Sequence, residues 1–360
     1  MKNFPQSTIN NRQSTINKMT PKEIVIAAIK HTETSQIPYH LDFTPPVKAM
    51  LQQYFHVEDI DDALGNYLRW ISWHPSLDFQ GKKSRNGIIT DEYGVMWHSL
   101  PENRGYPVFH PLQKADLFSY QFPNPYAPGR FAGAAEKIQR YHDYFIVAWC
   151  GDFFERAHFL RGLDNILIDL YEHPQFVHDL LDGILAFNLG NIEQLSRFPL
   201  DGIFLSDDYG HQQGLLMSPV QWRQFIKPRL LMLIQKIKGK GLYAFLHSCG
   251  NVAEILPDLI EIGLDVLHPI QPEAMDIVWL KKQYGRQLTF YGGISTQRTL
   301  IHSSAEEIKR EVRTIIQQMA KGGGYILGPG ITLQHDIPLE NILAFVEAAK
   351  KGENLLAFCS

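Results

Sequence analysis

The sequence predicts an α/β protein built as a single TIM (β/α)8 barrel. Three observations carry that reading. Eight short β-rich runs recur along the 360 residues, amphipathic helical spacing lies between them, and each run ends in polar groups, as a barrel active site requires. An open doubly wound sheet is the other architecture the alternation allows, but no GxGxxG follows the first run.

Taken in order, residues 1–18 hold a polar direct repeat, Gln6-Ser-Thr-Ile-Asn10 and Gln13-Ser-Thr-Ile-Asn17. With little to bury, it is expected to be a disordered tail. The single domain then spans 19–360. Thr20-Pro21-Lys22-Glu23 opens a helix running to about His31: Thr20 caps, Pro21 takes the first position and Glu23 reaches back. The β-rich runs follow at Ile37 to Phe43, Leu68 to His74, Phe145 to Cys150, Gly202 to Asp208, Leu242 to Cys249, Asp265 to Ile270, Leu288 to Ile294 and Gly324 to Gly330. The clearest helices lie at Pro174 to Leu195, Pro219 to Lys238, Ala305 to Met319 and Leu339 to Lys350. The stretch between runs two and three is too long for one connection. Within it, Gly87 to Trp97 reads as a β-hairpin, and the Pro-, Tyr- and Phe-rich stretch Pro101 to Gly133 as an irregular lid. This insertion, about 80–133, should fall on the catalytic face and cover a substrate.

Composition excludes several classes. Hydrophobic residues make up 44% and charged residues 20% of the chain, and net charge is −4. No basic block offers a nucleic-acid or anionic-membrane surface, and no apolar run reaches the roughly twenty residues of a membrane span. Cys150, Cys249 and Cys359 are too few and scattered for a disulfide framework, so a cytoplasmic location is expected.

The candidate chemistry sits at the ends of the runs. His247 and Cys249 are two apart on a strand and should face one spot. They are either a ligand pair for a borderline-soft ion such as zinc, or a partly buried imidazole beside a structural thiol. Asp207-Asp208 cannot both point inward. We expect Asp207 to face the cavity, with Ile203 and Leu205 sharing its face, as general base or polar anchor, and Asp208 to cap the next helix. Glu155-Arg156, just beyond the third run, read either as a surface ion pair or as substrate-positioning groups. His40, Asp42, His74, His268 and Gln271 end other runs and are candidate substrate-binding groups. Cys150 is a further ligand candidate or an inert core thiol, and the inert reading is preferred.

The chain resembles the uroporphyrinogen decarboxylase (URO-D) superfamily. The resemblance rests on Asp207-Asp-Tyr-Gly210, Gly214-Leu-Leu-Met-Ser-Pro219, His247-Ser-Cys-Gly-Asn-Val252 and Pro257-Asp-Leu-Ile-Glu-Ile-Gly-Leu-Asp265. It continues through Pro269-Ile-Gln-Pro272, Tyr291-Gly-Gly-Ile294, Gly323-Gly-Tyr-Ile-Leu327 and Pro338-Leu-Glu-Asn-Ile342. It covers about residues 20–352 and implies a TIM barrel. The decarboxylases' N-terminal Arg-Gln-Ala-Gly-Arg-Tyr run is absent, with Thr44-Pro-Pro-Val-Lys-Ala49 after the first run, and Pro329-Gly330 replaces their late His-Gly. The corrinoid-dependent methyltransferase branch, of methylcobalamin:coenzyme M type, is the nearer match. It implies methylcobalamin or another corrinoid as co-substrate, a corrinoid protein as partner, and a homodimer as one assembly. It also implies zinc held by His247, Cys249 and a later cysteine, activating a thiol acceptor. That later position is Ile331 here, so His335, Cys150, Glu155 or a substrate atom would complete the shell. The alternatives are cofactor-free decarboxylation of a tetrapyrrole and a non-catalytic tetrapyrrole-binding barrel.

Overall fold

The computed structural model describes residues 19–79, 81, 87–100 and 103–352. The expected tail at 1–18 and Cys359 lie outside the described residues. So does part of the insertion.

The helix Pro21–Ile29 opens as its sequence dictates, with Thr20 and Glu23 exchanging the bonds of a capping box. Twelve strands follow among the described residues: β1 Leu68–Ile71, β2 Ile88–Thr90, β3 Met96–Leu100, β4 Asn103–Phe109, β5 Phe145–Asp152, β6 Gly202–Ser206, β7 Gly210–His211, β8 Gly214–Leu215, β9 Tyr243–His247, β10 Val266–Ile270, β11 Thr289–Ile294 and β12 Tyr325–Pro329. Seven of them form one parallel sheet in the order β1-β5-β6-β9-β10-β11-β12, flanked by helices such as Pro174–Leu195 and Ala305–Met319.

The sheet curls like a TIM barrel but stays open, and the expected closed eight-stranded barrel is corrected to that extent. The run Ile37 to Phe43 lies between β12 and β1 without forming a strand. It makes isolated bridges, Tyr39 with Leu327 and Phe43 with Leu333. The physical reason lies in two residues. Pro38 has no N–H to give a ladder. On the β1 side, the Asn66 side chain takes the place of a backbone partner, bonding both the N–H and the carbonyl of Leu41 at 3.0 Å.

Alternation along the strands divides the apolar side chains into two sets. Ile203, Leu205, Ala244, Leu246 and Leu267 belong to the large cluster that packs with the helices. Phe145, Val147, Phe204, Phe245, Val266, Tyr291 and Ile326 form a second cluster inside the curl, with Val25 and Ile29 of the first helix. The inside is therefore apolar below, and further along the same strands it turns polar: Phe204 leads to Ser206, Phe245 to His247, Val266 to His268.

The insertion holds more regular structure than expected. Its hairpin gains a third strand, giving the antiparallel sheet β2-β3-β4, so the first part of the expected irregular lid is β4. Arg156 ties this sheet to the barrel. Its guanidinium bonds Asp91 at 3.1 Å and Asp152 at 2.6 Å and lies 4.2 Å from the centre of the Tyr93 ring. Replacing Arg156 by alanine would leave two carboxylates without this cation, one of them buried. We expect a loss of about 3–5 kcal/mol in urea unfolding.

Candidate metal site and cavity

Parallel register sets the site. Ser206 pairs with His247 across β6 and β9, and His247 pairs with His268 across β9 and β10. The pairing continues past the strand ends, where Asp207 N–H donates to the His247 carbonyl at 2.9 Å and Ser248 N–H to the His268 carbonyl at 2.6 Å. Two residues beyond Ser206 on the same face is Asp208, and two beyond His247 is Cys249. Gly250, at φ +80°, then turns the chain hard against Gly210, where a Cβ would collide with backbone.

Three donor atoms converge as a result. His247 Nε2 lies 3.3 Å from Cys249 Sγ and 3.4 Å from an Asp208 carboxylate oxygen, and ligand atoms of all three residues fall within 4.8 Å of one another. Cys249 N–H also donates to Asp208 Oδ1 at 2.9 Å, fixing the carboxylate. A tetrahedral zinc site, with bonds of about 2.0–2.1 Å to N or O and about 2.3 Å to S, has edges near 3.3–3.6 Å. The residues present fit such an ion.

The other nitrogen of His247, Nδ1, faces Nδ1 of His268 at 3.0 Å. Burial works to lower the His247 pKa, but the adjoining Cys249 and Asp208 hold it well above the ordinary imidazole range. His268 is held well below that range by burial and then by His247 and His40.

His247 and Asp208 border a cavity of about 740 Å³. Trp70, Trp149, Phe204, His268 and Tyr291 give it an aromatic lining, in which Trp70 and Phe204 meet edge to face at 4.7 Å. Lys48, Lys137 and Arg140 line it too, alongside Asp59 and Asp61.

The expected site residues divide. His40, Asp42, Glu155, His247 and His268 line the cavity. His40 is fixed from both sides, accepting from Trp70 Nε1 at 3.0 Å and pairing with the Tyr291 hydroxyl at 2.6 Å; burial lowers its pKa. Asp42 accepts from Thr332 Oγ1 at 2.9 Å.

Asp207 and Asp208 stand the other way round from expectation. Asp207 is buried and accepts the backbone N–H groups of Phe154 and Glu155, at 2.8 and 2.5 Å. It thus holds the start of the helix Phe154–Arg161, which carries Glu155 to the cavity. Burial pushes its pKa well above the carboxylate range. Ile203 and Leu205 do share its face, but that face meets the helices, and Phe204, Ser206 and Asp208 face inward.

Arg156 belongs to the insertion tie described above. Gln271 is buried as a latch, accepting from Gly250 N–H at 2.7 Å and donating to the Gly330 carbonyl at 3.2 Å. His74 and His335 are exposed and border neither the cavity nor the donor cluster. Cys150 is buried with its thiol directed at the Asn188 carbonyl, and burial raises its pKa. Sequence reasoning did not bring Asp208 to His247 and Cys249. The signal available was its alternation with Phe204 and Ser206, the less aliphatic face of β6.

Comparison with known proteins adds to this geometry. The uroporphyrinogen decarboxylase (URO-D) family profile matches residues 94–352. Methylcobamide:CoM methyltransferase MtaA of Methanosarcina barkeri is 33% identical over 133 residues, 37% of each chain. The methylated-thiol–coenzyme M methyltransferase of Methanosarcina mazei is 21% identical over 221 residues, 61% of this chain and 57% of its own. A uroporphyrinogen decarboxylase of Mannheimia succiniciproducens is 21% identical over 189 residues, 50% of this chain and 49% of its own. The chain thus aligns with between 37% and 57% of these relatives' lengths. In structure it superposes on a methyltransferase from Methanosarcina mazei with TM-score 0.71 at 20% identity, covering 93% of this chain and 99% of that one. That likeness is one of fold.

Proposed function

The chain belongs to the uroporphyrinogen decarboxylase (URO-D) family, and from that premise we propose that it is a corrinoid-dependent methyltransferase. In this reading Asp208, His247 and Cys249 hold zinc at the edge of the cavity, and a thiol or related acceptor takes the methyl group. The observation that carries it is the convergence of three ligand atoms within 4.8 Å beside a cavity of about 740 Å³. Identity points the same way, 33% to MtaA against 21% to the decarboxylase.

Bound zinc would lower the pKa of an incoming thiol, so that its thiolate, the competent nucleophile, forms near neutral pH. Asp208 would supply the third ligand, since Ile331 stands where the resemblance implies a cysteine. This choice leaves one sulfur and two harder donors, a set zinc accepts. The aromatic lining would exclude water and offer flat apolar surface to a methyl donor, methylcobalamin or a corrinoid protein carrying it. Glu155, held in place through Asp207, would present a carboxylate to the same space. No helix among the described residues is long and apolar enough to cross a membrane.

The test is transfer of methyl from methylcobalamin to a small thiol. We expect turnover by zinc-loaded protein, loss of turnover after chelation, and recovery on adding zinc. Equal turnover with and without metal would sink the proposal. A second reading, decarboxylation of a tetrapyrrole polycarboxylate, has in its favour the three cations Lys48, Lys137 and Arg140 lining the cavity. It predicts release of carbon dioxide from uroporphyrinogen with no metal added, and an inert mixture would retire it.

A further inference from the structure

The residues around His247 also bear on a neighbour that no ligand assignment includes. We infer that His268 is a positioning residue for the metal site, holding His247 by accepting a hydrogen bond from its Nδ1–H. The inference rests on the zinc reading above.

The direction of that bond follows from the number of hydrogens on each ring. Neutral imidazole carries one, on either nitrogen. His247 Nε2 is the atom directed at Cys249 and Asp208, at 3.3 and 3.4 Å, so it must offer a lone pair to be a ligand. The hydrogen of His247 then sits on Nδ1. That nitrogen lies 3.0 Å from His268 Nδ1, and two N–H groups cannot face each other at that distance. His268 Nδ1 is therefore the acceptor and its own hydrogen is on Nε2, an assignment drawn from the network of contacts.

The His268 ring has little freedom to do otherwise. It packs on Tyr291 with ring centres 4.3 Å apart and meets Phe204 edge to face at 5.5 Å. Its backbone is in register with His247 and its carbonyl accepts from Ser248. A ligating histidine commonly gives its second N–H to a partner that fixes ring orientation and raises basicity. Losing such a partner costs about 10–100-fold in metal affinity.

The test combines two variants with one measurement on the unaltered protein. His268→Phe keeps an aromatic ring but no acceptor, and should weaken zinc binding by about 10–100-fold in chelator competition. His268→Asn places an oxygen near the Nδ1 position and should recover most of that loss. In the cobalt-substituted protein, the ligand-field bands should shift in His268→Phe and return in His268→Asn. Long-range 1H–15N spectra of the zinc-loaded wild type should show His268 Nδ1 without a proton. A protonated Nδ1, or unchanged affinity in folded His268→Phe, would overturn this inference while leaving the zinc reading intact. Absence of stoichiometric zinc from the wild type would overturn both.

Discussion

Cys249→Ser is expected to abolish stoichiometric zinc binding, and Asp208→Ala to weaken it by more than the roughly 10–100-fold that loss of an outer-shell partner costs. The reason is the composition of the donor set. Cys249 Sγ is its one sulfur, 3.3 Å from His247 Nε2, and a hydroxyl is a far poorer ligand than a thiolate at neutral pH. Asp208 is the residue that makes the set three rather than two. With Ile331 where the resemblance implies a later cysteine, the proposed site takes its third ligand from the β6 side. Methyl transfer should fall with zinc occupancy in both variants. Metal analysis of purified proteins checks the prediction, and a full complement of zinc in Cys249→Ser would contradict it.

The second large effect separates the two adjacent aspartates. Asp207→Ala should cost about 2–6 kcal/mol in urea unfolding, because it orphans two buried N–H donors at about 1–3 kcal/mol each. Those donors belong to Phe154 and Glu155, and the helix they begin brings Glu155 to the cavity. Asp208→Ala should cost about 1 kcal/mol, the worth of the bond its carboxylate takes from Cys249 N–H. One variant is thus a folding defect and the neighbouring one a binding defect. If Asp207→Ala melted like the wild type but lost the metal, the roles given to these residues would have to be exchanged.

What could be read from the sequence was what depends on local periodicity. Strands alternating with helices gave the parallel sheet, and the spacing of His247 and Cys249 gave a shared face, because both follow from geometry within one element. Other features needed contacts distant in sequence. Asp208 meets His247 only through the register of β6 with β9. Aliphatic neighbours point Asp207 to the cavity in sequence, but a curled sheet buries both faces, and they mark the one against the helices. The run Ile37 to Phe43 has strand-like residues, but Pro38 and the reach of Asn66 replace a ladder with bridges. Arg156 reads in sequence as half of a local ion pair, yet its partners include Asp91, 65 positions away.

Zinc held jointly by Asp208, His247 and Cys249 would be read out by zinc-edge X-ray absorption on the purified protein. This donor set should give one sulfur neighbour at about 2.3 Å and the remaining neighbours nitrogen or oxygen at about 2.0–2.1 Å. A shell with two or more sulfurs, or with none, would contradict it.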